Sequence, residues 1–471
     1  MRLRTQVVSS FCLIVLSAAQ LAPCSAETIE NALAKAYREN PQLNAQRAQV
    51  RATDENVPQA LSGYRPQVGI VSTIGEQSGS ITETNLVPLP NGSKTTIYTP
   101  LSQITTPYSY GISATQTLFN GFQTANRTRT AESQVLAARE GLRVLEQTVL
   151  LNAATIYMDV LRDTATVQIQ QSNVNALKQF LGQTKQRFSV NDVTETDVNQ
   201  AEAQLAAGES ALMTAESQLQ IAKANYRAII GDEPRGLRSA SPVDRFIPGS
   251  LPAAIDLGVL RNPNVTAAMY GIDVAHLQVK INEGALLPSF AVQGTLQRNS
   301  IPSIGLTEQN TASVLGTLSV PLYKGGADYS LIRQSKETLG QQRLNLDLVR
   351  RQTGASVAQS WSQLETAKGV LVKAQVQVSA SEKALNGIQK ELSVGERTTF
   401  DLLTAQQNLV NARVTLVQAQ HDRVVFSYTL LASVGKLAPE VIGLPTQVYD
   451  ARVHYEQVRD AWGGLRNPDG R

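Results

Sequence analysis

The sequence predicts an α+β protein assembled from two similar repeats, each a pair of short strands followed by a long helical hairpin. Three observations predict this: an internal duplication, two long stretches without proline, and alternating apolar and small residues ahead of each stretch. Asn40, Pro41 and Pro66 recur as Asn262, Pro263 and Pro288, all 222 positions on (263 minus 41). Further along, Leu118, Phe119, Gly121, Ser189, Val190, Thr194, Asp197, Ala201, Leu205 and Gly231 meet Leu322, Tyr323, Gly325, Ser393, Val394, Thr398, Asp401, Ala405, Leu409 and Gly435 at a constant 204 (322 minus 118). The fall from 222 to 204 lies between Pro66 and Leu118. One loop of the first copy is therefore 18 residues longer (222 minus 204), while the helical stretches keep their length.

Residues 1–26 read as a secretory signal. Arg2 and Arg4 precede an apolar run from Val7 to Leu16, and Cys24-Ser25-Ala26 supplies small residues before a cut at Glu27. Leu21-Ala22-Pro23-Cys24 also bears on a lipoprotein cleavage box, although proline before the cysteine fits it poorly, so lipidation stays open. Cys12 and Cys24 both lie in this segment, and the mature chain is expected to hold no thiol or disulfide. Beyond it no run of about 18 apolar residues occurs, which excludes an ordinary transmembrane helix. Any membrane span must then be built of strands. The formal charge of +3 over 471 residues comes without a Lys/Arg block, so nothing points to nucleic acid.

After the signal, the first repeat is expected over 27–236: a short helix, a strand pair at about 66–118 and a helical hairpin at about 123–231. An equatorial linker at 237–252 leads to the second repeat at 253–436, with a helix, a strand pair at about 288–322 and a hairpin at about 327–435. A C-terminal segment, including Val448-Tyr449-Asp450 and Trp462 and expected to pack at the equator midway along the helices, and a tail occupy 437–471. Proline is missing from Tyr108 through Glu233 and from Leu322 through Ala438, which marks the hairpins. Leu142, Leu145, Val149, Ile156 and Val160 follow coiled-coil spacing. An unbroken helix from Gln123 to Phe188 spans about 100 Å, far more than a globular domain needs. Thr194 and Thr398 sit at N-cap positions with Asp197 and Asp401 three residues on, and Gly231 and Gly435 end the return helices. The polar stretch from Gly79 to Pro107 reads as the longer, exposed loop.

The strands alternate. Phe290, Val292, Gly294 and Leu296 take turns with Ala291, Gln293 and Thr295, as do Tyr108, Tyr110, Ile112 and Ala114 with Ser109, Gly111, Ser113 and Thr115. A barrel with lipid outside and water inside gives this dyad pattern, and so does a half-buried soluble sheet. Four strands cannot close a barrel, because the smallest transmembrane barrels need about eight. Three copies would give twelve, and the same arithmetic applies to the helices.

These features come together in motifs of a known family. Arg187-Phe188-x-Val190 followed by Thr196-Asp197-Val198-x-x-Ala201-x-Ala203-Gln204, and Ser393-Val394-Gly395-x-Arg397-Thr398 followed by Asp401-Leu402-Leu403-x-Ala405, are hairpin tips. With the strand-to-helix junctions Leu118-Phe119-Asn120-Gly121 and Leu322-Tyr323-Lys324-Gly325-Gly326, the mature chain resembles the TolC family of outer-membrane channels throughout. The resemblance implies a homotrimer in the Gram-negative outer membrane, with a 12-stranded β-barrel continued by a 12-helix periplasmic α-barrel with an equatorial belt. It further implies an exit duct for efflux or type I secretion, with a periplasmic adaptor and an inner-membrane pump of the resistance-nodulation-division or ABC type as partners. Val190, Asn191, Asp192, Val394, Gly395 and Glu396 would be the adaptor-docking tips. Asp197 and Arg397 fall on positions that link helices across the closed gate, and Asp401 on an acidic ring of the periplasmic entrance. Leu392 replaces the family's tip tyrosine, Thr404 a second ring acid, and Asn191-Asp192 the Gly-Leu of the first turn.

Each of these residues also has a plainer reading. Asp197 and Asp401 suit helix capping, and Arg397 suits a solvated turn. If Asp401 forms a ring about a three-fold axis, its carboxylates gather like charge, which raises pKa and attracts cations. His276, His421 and His454 lack ligand spacing and read as surface or packing residues; Gly325-Gly326 reads as a tight turn and not a phosphate loop. The expectation is a non-enzymatic duct without cofactor or metal, driven by its partners. The alternatives are a periplasmic adaptor or a structural coiled-coil protein.

Overall fold

Three short helices open the chain: α1 (Ile29–Glu39), α2 (Pro41–Asp54) and α3 (Asn56–Leu61), in a computed structural model that describes residues 27–300 and 308–468. The expected signal segment, with both cysteines, lies outside the described residues. Four strands follow, β1 (Gln67–Ile74), β2 (Gln77–Pro88), β3 (Lys94–Thr105) and β4 (Tyr108–Asn120), and then the first hairpin, α4 (Gln123–Ser189) and α5 (Glu195–Ile230). The second repeat runs through α6 (Leu251–Arg261), α7 (Pro263–Gly284), β5 (Ser289–Ser300) and β6 (Gln309–Ser319) to α8 (Ala327–Ser393) and α9 (Thr399–Ser433). Two short helices, α10 (Pro439–Ile442) and α11 (Arg452–Val458), finish the fold. Helices α4 and α8 have the same length, 67 residues.

The main sheet is antiparallel throughout, in the order β1-β4-β5-β6. Its register sorts the side chains by chemistry, because residues paired across strands share a face. Ile70, Ile112, Leu296 and Ala312 line up on one face, next to Val68, Ala114, Gly294 and Val314. Gly69, Ser113, Thr295 and Ser313 line up on the other. The expected loop from Gly79 to Pro107 proves to be mostly a second sheet. Strands β2 and β3 pair over 12 residue pairs as a ribbon that turns at Pro90-Asn91-Gly92. The composition that suggested a loop is rich in threonine, whose branched Cβ suits a strand, and Asn91-Gly92 suits a tight turn.

Below the sheet the helices stack into staves. Asn40 caps α2 by accepting from the amides of Gln42 (3.0 Å) and Leu43 (3.2 Å), while its Nδ2 donates to the Ile229 carbonyl (3.4 Å) at the end of α5. Asn262 repeats the arrangement: it accepts from Asn264 (2.9 Å) at the start of α7 and donates to the Ser433 carbonyl (2.9 Å) at the end of α9. These contacts obey both offsets of the duplication, 222 for the asparagines (262 minus 40) and 204 for the carbonyls (433 minus 229). Each asparagine satisfies amide N–H at the start of one helix and a carbonyl at the end of another, so a long return helix and a shorter helix act as one stave.

Four staves result, in the order α5–α2, α4, α9–α7, α8. Leu177 of α4 packs on Gly208 of α5, Gly284 of α7 meets Gly121 just before α4, and Leu339 of α8 packs with Ala275 and Val279 of α7. The stave order matches the strand order above it. The largest core lies midway along, where Tyr37, Tyr157 and Tyr226 are buried with Leu33, Leu43 and Leu150. There the Tyr157 hydroxyl lies 2.8 Å from the Glu27 carbonyl and 2.7 Å from that of Arg238, tying the linker to the waist.

The C-terminal segment differs from the expectation that it stays at the waist. Tyr449 does pack there, with the Arg47 guanidinium 4.5 Å from the Tyr37 ring and 5.2 Å from that of Tyr449. Beyond it the chain climbs along α2. Arg139 lies 5.0 Å from the Tyr455 ring, and Arg65, at the foot of β1, lies 4.7 Å from the ring of Trp462. Favourable contact of arginine with an aromatic face draws the strap upward to the sheet.

Candidate gate, docking tips and barrel junctions

Both hairpin tips use one backbone solution. At the first, Asn191 N–H donates to Phe188 C=O (2.9 Å) and Asp192 N–H to Arg187 C=O (2.9 Å). At the second, Gly395 donates to Leu392 (3.1 Å) and Glu396 to Glu391 (2.9 Å). This pattern of bonds reaching back three and five residues needs a left-handed residue just past the helix. Gly395 supplies it at φ 81° and Asn191 at φ 59°. Asparagine is among the few side chains that tolerate that region, which explains how the first tip departs from glycine without changing shape.

Each return helix then starts with a capping box. The Asp197 carboxylate accepts from Thr194 N–H (2.9 Å) and Oγ1–H (2.7 Å), and Asp401 accepts from Thr398 N–H (3.0 Å) and Oγ1–H (2.8 Å). The hydroxyl and amide of Thr194 hold the Asp197 carboxyl below the usual range, helped by Thr399 and the Arg187 charge. The amide and hydroxyl of Thr398 do the same for Asp401, with Arg397 adding to it. Within one chain, then, both carboxylates cap, and Gln204 of α5 donates to Gln407 of α9 (3.1 Å), so the two return helices run side by side near their starts. Arg397 donates from Nε to Glu391 at 2.8 Å, which raises its pKa. The sequence reading missed Glu391, because its partner lies across the turn and not at helical spacing. It also missed the equivalent clasp of the first tip, Arg187 Nε to Asp192 at 2.6 Å.

The residues expected to dock an adaptor are exposed in both repeats. Val190 is 72% and Val394 71% accessible, two apolar side chains held out at matching turns. Beside them a groove of about 610 Å³ runs between the hairpins, lined by Phe180, Thr184 and Arg187 on one side and by Leu392, Leu403 and Gln406 on the other. Leu392 therefore forms part of the wall of a groove of mixed character, with Gln389, Ser393 and Asp192 beside it.

At the opposite end, the strand-to-helix junctions are strained in the same way in both repeats. Gly121 and Phe122 have φ 65° and 61°, and Gly325 and Gly326 have 62° and 85°. A Cβ on Gly121 would lie 2.1 Å from the Gly284 carbonyl oxygen, so only glycine fits, whereas Gly325 has open space around it. Phe119 closes edge-on to Phe122 at 5.3 Å, and Leu118 is the extra residue where β4 slips its register against β5. Leu322 and Tyr323 are exposed. Among the described residues no group of acidic, histidine or cysteine side chains could hold a metal ion.

The chain matches the family described as outer membrane efflux protein over residues 32–232 and 254–436. It is 37% identical to the outer membrane efflux protein BepC of Brucella suis, covering 94% of this chain and 93% of that one. It is 26% identical to the outer membrane protein TolC of Vibrio cholerae, over 88% of this chain and 92% of the relative. The solved CmeC outer membrane channel of Campylobacter jejuni has the same fold, with a TM-score of 0.74 over 92% of this chain and 89% of that one at 15% identity. The matched segments hold the paired hairpins with their capped tips, and the chain is a member of the outer membrane efflux protein family.

Proposed function

We propose that three copies close into one exit duct through the outer membrane, and that its periplasmic end is gated by Asp197, Arg397 and Asp401. The observation that carries the reading is the main sheet. Its outer strands β1 and β6 each have a strand partner on one side only among the described residues, and its two faces divide into apolar and small polar. Joining β6 of one copy to β1 of the next leaves no open edge, places the apolar face in lipid and encloses the polar one. Three copies make a barrel of twelve strands. The staves below follow the same order, so α8 of one copy meets the α5–α2 stave of the next and the tunnel closes in step with the barrel.

The tips Val190–Asp192 and Val394–Glu396 dock a periplasmic adaptor, which couples the duct to an inner-membrane transporter of the resistance-nodulation-division or ABC type. Arg397 reaches Asp197 of a facing hairpin when the gate shuts. Asp401 lines the entrance, where it draws cations. Transport energy enters through the partners, and the duct itself is passive.

Reconstitution of the purified protein in planar bilayers tests this. Heat-resistant trimers that pass ions, with conductance raised by Arg397→Ala or Asp197→Ala, are expected. A monomer that neither inserts nor conducts would sink the duct, and unaltered conductance in both variants would remove these residues from the gate.

A further inference from the structure

His421 lies on α9 just to the tip side of the waist core, 8% exposed, between two carboxylates. Its Nε2 is 3.0 Å from Oδ1 of Asp159 on α4, and its Nδ1 is 2.9 Å from Oδ1 of Asp422. A neutral imidazole has one N–H and one lone pair, so one of these carboxylates would face a lone pair at close range. The imidazolium form, a donor on both sides, satisfies both.

The surroundings set the charge. On α4, Arg162 pairs with Asp159 (2.8 Å) and with Asp163 (2.7 Å). On α9, Gln418 donates to Asp422 (2.7 Å), and Arg423 pairs with Asp244 of the linker. The linker and α8 add Ala240, Pro242 and Leu371 to the adjoining cavity, none of them charged. Three carboxylates, Asp159, Asp163 and Asp422, therefore share Arg162 as their fixed cation. A protonated His421 supplies the second positive charge and spans the two hairpins.

We propose that His421 is a pH-responsive tie between the hairpins: protonated, it holds α9 to α4 and restrains the second hairpin, and on losing its proton it releases that hairpin to swing. The tie acts on the duct proposed above. Burial works against the charge, but the hydrogen bonds to Asp159 and Asp422 outweigh it and hold the His421 pKa above the ordinary imidazole value. With the folded value raised, the tie is complete below an ordinary pKa of about 6.5 and is lost as pH climbs through the folded one. Outside acidity thus favours the shut arrangement.

Two measurements on the full trimer test it. Histidine Cε1 hydrogen exchange against pH reads the His421 protonation directly in the unmodified protein. Bilayer conductance is then followed from about pH 6 to pH 8.5, where histidine is the side chain with an ordinary pKa in range. Expected are a His421 midpoint above the ordinary value, conductance that rises with pH in the wild type and in His454→Gln, and loss of that rise in His421→Gln. A midpoint at or below the ordinary value overturns the tie, as does a His421→Gln channel that keeps the wild-type slope. A wild type that passes no ions at any pH sinks the duct reading instead, and the exchange midpoint alone then decides whether the tie exists.

Discussion

Arg397 reaches back across its turn to Glu391, six residues earlier, at 2.8 Å, and in the first repeat the position of Glu391 is occupied by a cation, Arg187. The two tips thus share a backbone and carry opposite charge at the same place. A cation suits the negative end of a helix and an anion does not, so Glu391 at the close of α8 depends on Arg397 for compensation. The guanidinium proposed to shut the gate is already engaged inside its own hairpin.

Glu391 therefore competes with Asp197 for Arg397. Replacing Glu391 with alanine frees Arg397 and should lower bilayer conductance, opposite to Arg397→Ala. Exposed pairs of this kind are weak, so a change of a few fold is expected from three copies. The double variant Glu391→Ala/Asp197→Ala should restore or exceed wild-type conductance. An increase in Glu391→Ala alone would refute the competition.

The asparagine joints separate capping from donation. Asn262→Asp keeps the cap on α7 but removes the donor to the Ser433 carbonyl, and Asn262→Ala removes both. Loss of the cap should cost about 1 kcal/mol and the stranded carbonyl about 1–3 kcal/mol more. Thermal dissociation of the trimer should fall in the order wild type, Asp, Ala. Equal midpoints would show that the staves do not depend on the joint.

Glycine at the two junctions is required for different reasons. Gly121→Ala drives a methyl group into the Gly284 carbonyl and should prevent correct assembly. Gly325→Ala meets open space and suffers only the left-handed backbone, at about 1 kcal/mol. Yields of heat-modifiable trimer in the outer-membrane fraction compare them, and similar yields would contradict the collision.

Charge placed on the sheet reports which face meets lipid. Leu296→Arg should destabilise insertion by about 2–4 kcal/mol, whereas Thr295→Arg, one residue away on the other face, should insert and change ion selectivity. If both variants inserted equally well, the assignment of faces would fail.

The capping carboxylates tie tip order to acid. Thr194 and Thr398 lower the pKa values of Asp197 and Asp401, so this contribution is present above the ordinary aspartate value of about 3.9 and is lost as pH falls through the lower folded values. Amide exchange at residues 194–198 and 398–402, corrected for intrinsic rates, should accelerate only below that range. Acceleration near neutral pH would assign the order to other groups.

Much of this architecture is legible in residue order because local rules decide it. Thr194 with Asp197 and Thr398 with Asp401 declare helix starts, missing prolines declare helix lengths, and alternation declares β4 and β5. The β2–β3 ribbon was hidden because serine and threonine serve loops and strands alike, and pairing decided between them. Long-range partners were hidden more deeply. His421 and Asp159 are 262 positions apart, and each is unremarkable in its own helix. Glu391 escaped because a turn, and not a helical repeat, brings it to Arg397.

Among the described residues β1 and β6 each pair on one side only, so in the duct proposed above a newly exported copy brings two strand borders that other copies must cover. Maturation must then be a many-body event whose rate climbs steeply with local abundance, because pairs still show raw borders and only a closed ring hides them all. Scarcity and surplus both have consequences. Too few newcomers leave stragglers open to proteolysis, and crowding without lipid invites irregular stacking along those same borders.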